Sequence, residues 1–339
     1  MTKRSYTFSS STVDYLFNAS FADLSKLVPI EKGIIITDEN IYKSHRKRFA
    51  GWKVIVLQAG EQYKVQSTVD NVINQLIEMG ADRKSVIIGV GGGVVTDLAG
   101  YVAGVYMRGI KCGFVPTSIL SIVDAAIGGK NGVDVGVYKN LVGLIRQPSF
   151  LLFDFSFLKT LPKEEWINGF AEVIKHACIK DAKMFKLLQE NNLGSFRKDE
   201  KLLQSLILKN VLIKTKVVIS DEFENGDRKL LNFGHTMGHA IENLYKIPHG
   251  HAVSIGMGVA CNVSTKITGF RDTDAVKTVL KKYGLPPDFQ FDKDEALRIL
   301  RSDKKKDNDA ISYVVLDKIG KARTVVLQFA ELDEMVRSL

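Results

Sequence analysis

Apolar positions in the first part of the chain follow two rhythms. The short runs GIIITD (33–38), WKVIVLQ (52–58) and SVIIGV (85–90) are β-branched and almost uniformly apolar, which predicts buried strands. Between them, residues 67–79 repeat apolar side chains at helical spacing. After SVIIGV come three glycines, an apolar stretch over 94–106 that predicts a helix, and the apolar segment CGFVPTS. This β-α-β alternation predicts a parallel sheet covered by helices. Past about residue 155 the texture changes. TLPKEEW reads as a helix start, with Thr160 as cap, Pro162 in the first turn, and Glu164 and Glu165 at the positive end of the dipole. Long helical patterns then run to about residue 300, and ISYVVLD (311–317) and ARTVVLQ (322–328) around Gly320 predict a hairpin. The expectation is an α/β domain over residues 1–155 and a mainly helical domain over 156–339, with the site in the cleft between them.

Composition changes this picture little. A length of 339 residues exceeds the usual single core, in keeping with two domains. No apolar run is long enough for a membrane span, and MTKRSYTFSSSTVDYLF lacks the apolar core of a signal peptide. Cys112, Cys178 and Cys261 are scattered, which suits a reducing cytoplasm and excludes a cysteine-built zinc site. The net charge of +9 is spread along the chain, its densest runs being Lys43–Arg48 and Arg301–Lys306. Solvated faces explain that distribution better than a nucleic-acid stripe, so neither nucleic acid nor membrane is an expected partner.

Two features carry candidate chemistry. In VIIGVGGGVV (86–95) a strand runs into glycines and then a helix, where bare backbone and unpaired N–H groups suit a pyrophosphate. The spacing departs from G-x-G-x-x-G, since the third glycine falls early and Asp97 follows. Polar residues 37–40 after the first strand suit a ribose or adenine, and Lys130 after Gly128-Gly129 suits an anion. The second feature is histidine clustering: five of six histidines lie between residues 176 and 251. His235 and His239 share one helix face at i and i+4; Glu172, Lys175 and His176 share another; His249 and His251 follow. A carboxylate and two imidazoles from separate helices make a catalytic metal site with an open position. The spacing alone leaves open whether His235 and His239 both bind, as in H-E-x-x-H proteases. Thr236 stands where such a protease needs its glutamate, which disfavours that reading.

The runs GGGVVTDLAGYVAGVYMRGI, PTSILSIVDAAIGGKNGVD, KNLVG, FLKTLP, GFAEVIKHA, DRKLLNFGHTMGHAIE and HGHAVSIGMG closely resemble the 3-dehydroquinate synthase family, of the sugar-phosphate cyclase superfamily, in order over roughly residues 30 to 305. GHTMGHAIE and the GGK loop are highly specific to that superfamily. GGG turns are shared with glycerol dehydrogenases.

The resemblance implies a dehydroquinate synthase-like fold and zinc (or cobalt) on Glu172, His235 and His249. It implies NAD contacts from Asp38, Asn40, Glu61, Lys64, Gly92, Gly93, Val94, Asp97, Thr117, Ser118, Leu120, Lys139, Phe157, Thr160 and Leu161. Substrate groups are Asp124, Lys130, Asn140, Lys175, Lys214, Arg228, Asn232, His239 and Lys304 or Lys305. Arg108 resembles the family arginine that reaches a neighbouring subunit, so a homodimer is expected. The implied reaction, in the shikimate pathway of aromatic amino acid biosynthesis, takes a phosphorylated sugar acid through transient oxidation by NAD, loss of phosphate and ring closure. The rival readings are a 2-deoxy-scyllo-inosose or valiolone-type cyclase, or a glycerol dehydrogenase-like oxidoreductase. One departure stands out: His251 occupies a position where the family has a glutamate.

Overall fold

The computed structural model of the chain describes residues 1–9, 11–136, 138–303 and 309–338. The chain forms two compact units, Met1–Pro162 and Lys163–Leu339.

The first unit is built on a sheet. Its strands are β1 (Thr2–Thr7), β2 (Thr12–Phe17), β3 (Gly33–Asp38), β4 (Lys53–Leu57), β5 (Val86–Gly91), β6 (Lys111–Pro116) and β9 (Phe150–Leu152), in the order β1-β2-β9-β6-β5-β3-β4. All neighbours pair in parallel except β1 with β2. Helices α1 (Glu39–His45), α2 (Gln66–Glu78) and α3 (Gly93–Val105) connect the parallel strands. A separate antiparallel hairpin, β7 (Lys130–Val135) with β8 (Tyr138–Ile145), follows a π-helical turn at Ser121–Ala125. Register sets Ile35 beside Ile88 on one side and Val54 on the other. Leu16, Ile35, Ile88, Val115 and Leu152 pack in one cluster with Phe21, Phe49 and Phe157. Each such side chain contributes roughly 1.5–3 kcal/mol on leaving water.

From β3 the chain steps outward to β4, then crosses back to β5 on the other side of β3. The connections therefore diverge between β3 and β5. In an open parallel sheet such a divergence opens a crevice at the carboxyl ends of the strands.

The second unit is mainly helical: α4 (Lys163–Lys180), α5 (Ala182–Glu190), α6 (Leu193–Lys198), α7 (Glu200–Ser220), α8 (His235–Tyr245), α9 (His249–Thr268), α10 (Thr273–Lys282) and α11 (Lys293–Asp303). The hairpin β10 (Ala310–Lys318) with β11 (Lys321–Gln328) and helix α12 (Phe329–Arg337) complete it. Helix α4 begins at Lys163. Thr160 is not its cap but the last residue of a 3₁₀ turn, Phe155–Thr160, and its hydroxyl bonds the Phe157 carbonyl and His45 instead. Helices α8 and α9 touch backbone to backbone. A Cβ on Gly256 would sit 1.8 Å from the Gly234 carbonyl oxygen, and one on Gly238 would sit 3.0 Å from that of Ala252. Hydrogen at these positions lets the start of α8 approach the first two turns of α9. Among the described residues no helix is long and apolar enough to cross a membrane.

Candidate functional site

In the first unit the candidate nucleotide residues gather at the carboxyl ends of the parallel strands. Gly92 is the N-cap of α3, directly after β5, followed by Gly93 and Val94 in the first turn. A Cβ on Gly91 would meet Val95 at 2.5 Å, so glycine there lets the helix start against the strand end. A Cβ on Gly92 would meet only the Ser118 hydroxyl, at 3.6 Å, which leaves open backbone at a helix N-terminus. Across the crevice, Asp38 ends β3 and caps α1, accepting the Ile41 N–H at 3.0 Å; burial pushes its carboxyl up. Asn40 lies in the first turn of α1. Thr117 and Ser118 follow β6, the Thr117 N–H donating to the Gly91 carbonyl at 2.9 Å. Leu120 and Asp124 belong to the turn beyond them.

Lys64, Asp97 and Asn140 form one knot. The Lys64 Nζ donates to Asp97 Oδ2 at 2.5 Å and to Asn140 Oδ1 at 2.6 Å, and it is nearly buried. Burial would lower the ammonium, but Asp97 and Glu61 outweigh it and hold it above the ordinary lysine range. Lys139 stands 4.0 Å from Glu61. Asn140 has a left-handed backbone (φ 52°) and donates its N–H to Asp134 at 2.7 Å. Phe157 is different: its ring is buried in the core, edge-on to His45 and beneath Arg48. Thr160 ends the same 3₁₀ turn, its hydroxyl engaged by His45 Nε2 at 2.7 Å, and Leu161 follows as the C-cap. Lys130 is exposed at the start of β7. Arg108 stands apart. It lies in an exposed left-handed turn (φ 63°) after α3, where the crossover helix has returned the chain to the amino-terminal end of the parallel strands.

In the second unit three helices bring donors to one point. Glu172 lies mid-way along α4, His235 opens α8 and His249 opens α9. The Nε2 atoms of His235 and His249 stand 3.4 and 3.3 Å from the same oxygen, Glu172 Oε1. Two ligands each about 2.05 Å from a tetrahedral zinc stand roughly 3.3 Å apart, so both distances from Glu172 match those between ligands of such an ion. Side-chain exposure rises from 0% at Glu172 through 12% at His235 to 27% at His249, so the cluster is closed behind and open on one side. That is the form of a catalytic rather than a structural metal site.

The electrostatics ready two of the three donors for ligation, while the third holds a proton that a metal ion must displace. Full burial pushes the Glu172 carboxyl up, but Lys175 and His235 overcome it and hold the group well below the usual carboxylate range. Burial, reinforced by Lys175, pushes His235 down, so its ring is neutral near pH 7. Burial also works against the His249 cation, but hydrogen bonds to Glu172 and Glu242 outweigh it and raise that ring to about 9 in the metal-free chain. Lys175, one turn after Glu172, ion-pairs with it while almost fully buried. Of the two open alternatives, His239 lies with its ring centroid 5.2 Å from that of His235 and shares a second donor group with Glu242 and His249. His251 belongs to no metal-capable group among the described residues.

The same unit carries the other polar residues that the sequence singles out. Lys214 and Arg228 are buried, and the Arg228 guanidinium donates to the Glu222 carbonyl. Asn232 donates from Nδ2 to Glu224 Oε1 at 2.6 Å, and Glu224 has a left-handed backbone (φ 62°). Lys304 and Lys305 lie outside the described residues. Sequence reasoning missed Glu224, Glu242 and Asn168, whose Oδ1 accepts the Gly250 N–H at the start of α9. A signal for Glu242 was present, seven residues before His249 on the inner face of α8.

Residues 54–168 match the family described as 3-dehydroquinate synthase N-terminal, and residues 169–306 match 3-dehydroquinate synthase C-terminal. The chain belongs to the 3-dehydroquinate synthase family. A 3-dehydroquinate synthase from Pyrococcus furiosus is 40% identical over 321 residues, covering 92% of each chain. One from Thermococcus kodakarensis is 44% identical over 284 residues, covering 83% of this chain and 79% of that one. Among solved structures, a 2-deoxy-scyllo-inosose synthase in complex with carbaglucose-6-phosphate, NAD+ and Co2+ superposes with a TM-score of 0.84 at 26% identity, over 99% of both chains. The two family matches together span both units.

Proposed function

We propose that the chain converts 3-deoxy-arabino-heptulosonate 7-phosphate to 3-dehydroquinate and phosphate, using NAD and one divalent metal ion. The observation that carries this reading is the convergence of His235 and His249 on one oxygen of Glu172, in a chain whose relatives at 40–44% identity are 3-dehydroquinate synthases. The carbaglucose-6-phosphate complex belongs to a more distant cyclase, at 26% identity, so the dehydroquinate reading is preferred to the inosose one.

Glu172, His235 and His249 hold the metal, which when bound supplies Lewis acidity to a substrate hydroxyl. NAD supplies a hydride acceptor that is restored in each turnover. The first unit holds it with the open backbone of Gly92, Gly93 and Val94 and with Asp38, Asn40, Glu61, Lys64, Asp97, Thr117, Ser118, Leu120, Lys139, Phe157, Thr160 and Leu161. Lys130, Arg228 and Lys304 or Lys305 grip the phosphate, a dianion for which charge-assisted bonds are the strong ones. His239, with an imidazole suited to neutral pH, moves protons to and from the substrate oxygens. Lys175 offsets the substrate carboxylate, and Asp124, Asn140, Lys214 and Asn232 orient hydroxyls. The chemistry needs positioning more than covalent help from the protein.

We also assign a homodimer in the cytoplasm. Its support is the exposed hairpin strand β8, with Tyr138, Leu141, Val142 and Ile145 open to solvent, together with the exposed Arg108, and the three cysteines, all free and buried. The function is tested by turning over the heptulosonate phosphate after treatment with a chelator. Phosphate release is expected to vanish and to return with Zn2+ or Co2+. Full activity in the chelated protein would refute the metal-dependent reading.

A further inference from the structure

The His249 ring is held at both of its nitrogens. Its Nε2 faces Glu172 Oε1 at 3.3 Å, and its Nδ1 lies 3.3 Å from Glu242 Oε2. Glu242 is itself buried, with its side chain 6% exposed. An ionised carboxylate can only accept, so either ring nitrogen can donate to the carboxylate it faces. Glu242 keeps the Nδ1–H, so the proton that a metal ion must displace is the one on Nε2, the nitrogen that faces Glu172.

Backbone architecture makes the contact possible. Glu242 lies two turns along α8 from His235, on the side facing α9, and the close approach of the two helices at Gly238 and Gly256 brings it to the start of α9. The same start is tied to α4 through the Gly250 N–H and Asn168. The main chain of α9 is thus fixed by one contact and the His249 ring by another.

We propose that Glu242 is a positioning residue of the metal centre: its buried carboxylate takes the Nδ1–H of His249, fixes the tautomer, and keeps Nε2 aimed beside Glu172. This rests on the metal reading above and assigns a role to a residue outside the three donors. A carboxylate behind a ligating imidazole fixes ring orientation and strengthens the ligand, and its loss typically weakens metal binding about 10–100-fold.

The test is zinc affinity, measured by competition with a chromophoric chelator, and the visible spectrum of the Co2+-loaded protein. The variants are Glu242→Ala, Glu242→Gln and Glu242→Asp. Expected are zinc binding weaker by about 10–100-fold in Glu242→Ala, an intermediate loss in Glu242→Gln, which keeps an acceptor but not the charge, and partial recovery in Glu242→Asp. The cobalt coordination number should stay the same throughout, and NAD affinity should not change. Should Glu242→Ala fail to fold, Glu242→Gln decides alone, since it preserves size. Wild-type zinc affinity in Glu242→Gln, or a cobalt spectrum that reports a lost ligand, would overturn the proposal. The metal reading fails separately, and visibly, if the wild-type protein binds no zinc or if His249→Ala binds it as well as wild type.

Discussion

The two units solve the problem of placing functional groups in opposite ways. In the first, backbone does most of the work: a topological divergence between β3 and β5 opens the crevice, and bare glycines at the start of α3 line it. In the second, side chains do it: imidazoles from two helices meet at one carboxylate oxygen from a third, deep enough that Glu172 is fully buried. A backbone site tolerates change in its side chains but not in its turn. A side-chain site fails when any one donor is removed, and its neighbours decide how well it works.

The strongest way to break this contrast is at Glu172. Glu172→Gln should reduce kcat/KM by about a thousandfold or more and abolish stoichiometric zinc, because a metal centre of three ligands loses its only anionic one. Removing the carboxylate also strands buried Lys175, and breaking a buried pair costs about 3–5 kcal/mol, so thermal unfolding should shift with it. NAD affinity should stay near wild type; a parallel loss of NAD would erase the distinction. Next, Arg228→Ala should cost about a hundredfold in kcat/KM toward the phosphorylated substrate, since charge-assisted phosphate bonds are strong, with NAD binding unaffected. Unchanged steady-state kinetics would remove Arg228 from the phosphate grip.

The converse test lies in the first unit. Gly91→Ala places a methyl 2.5 Å from Val95 and must push α3 off its start. NAD affinity, read by fluorescence or calorimetry, should fall at least about tenfold, as expected when a helix N-terminus is displaced from an anion, while zinc stoichiometry holds at wild type.

These tests also mark what the sequence made legible. The central strands β3 and β5 were readable because burial on both faces leaves an unbroken apolar run such as IIIT. β1 was not, because it is an edge strand whose residues are nearly all exposed and polar, and β9 is too short to show a period. The π-turn at Ser121–Ala125 and the hairpin after it carry no periodic signal. In the second unit the donor residues were visible by type, since histidines cluster in few other contexts, but their supports were not. Glu242, Asn168 and Glu224 act through contacts seven to 82 residues distant in sequence, which no local pattern encodes. The Thr160 reading failed for a related reason. Its hydroxyl was claimed by His45, 115 residues away, rather than by the following helix.

Two smaller effects sharpen the picture of the metal centre. In the metal-free chain His249 is raised to about 9 by its two carboxylate partners. Its folded value lies above the ordinary imidazole value, so the stabilising charge pairing is complete below about pH 6.5 and is lost as pH rises through about 9. Metal must displace that proton, so zinc affinity should rise by roughly tenfold per pH unit between about pH 7 and 9 and then level off. A flat profile would mean that His249 does not lose a proton on binding. The smallest effect is expected at the departure from the family pattern. His251→Glu should change zinc affinity by less than about threefold, because His251 joins no metal-capable group among the described residues and changes that remove no ligand are usually near neutral.

The central claim is that one metal ion is held jointly by Glu172, His235 and His249, and anomalous diffraction at the zinc edge from crystals grown with Zn2+ tests it most directly. The account predicts a single peak per chain, bonded to Glu172 Oε1 and to the Nε2 atoms of both histidines. A peak bonded instead to His239 with Glu242, or to His251, or no peak at this site in active protein, would contradict it.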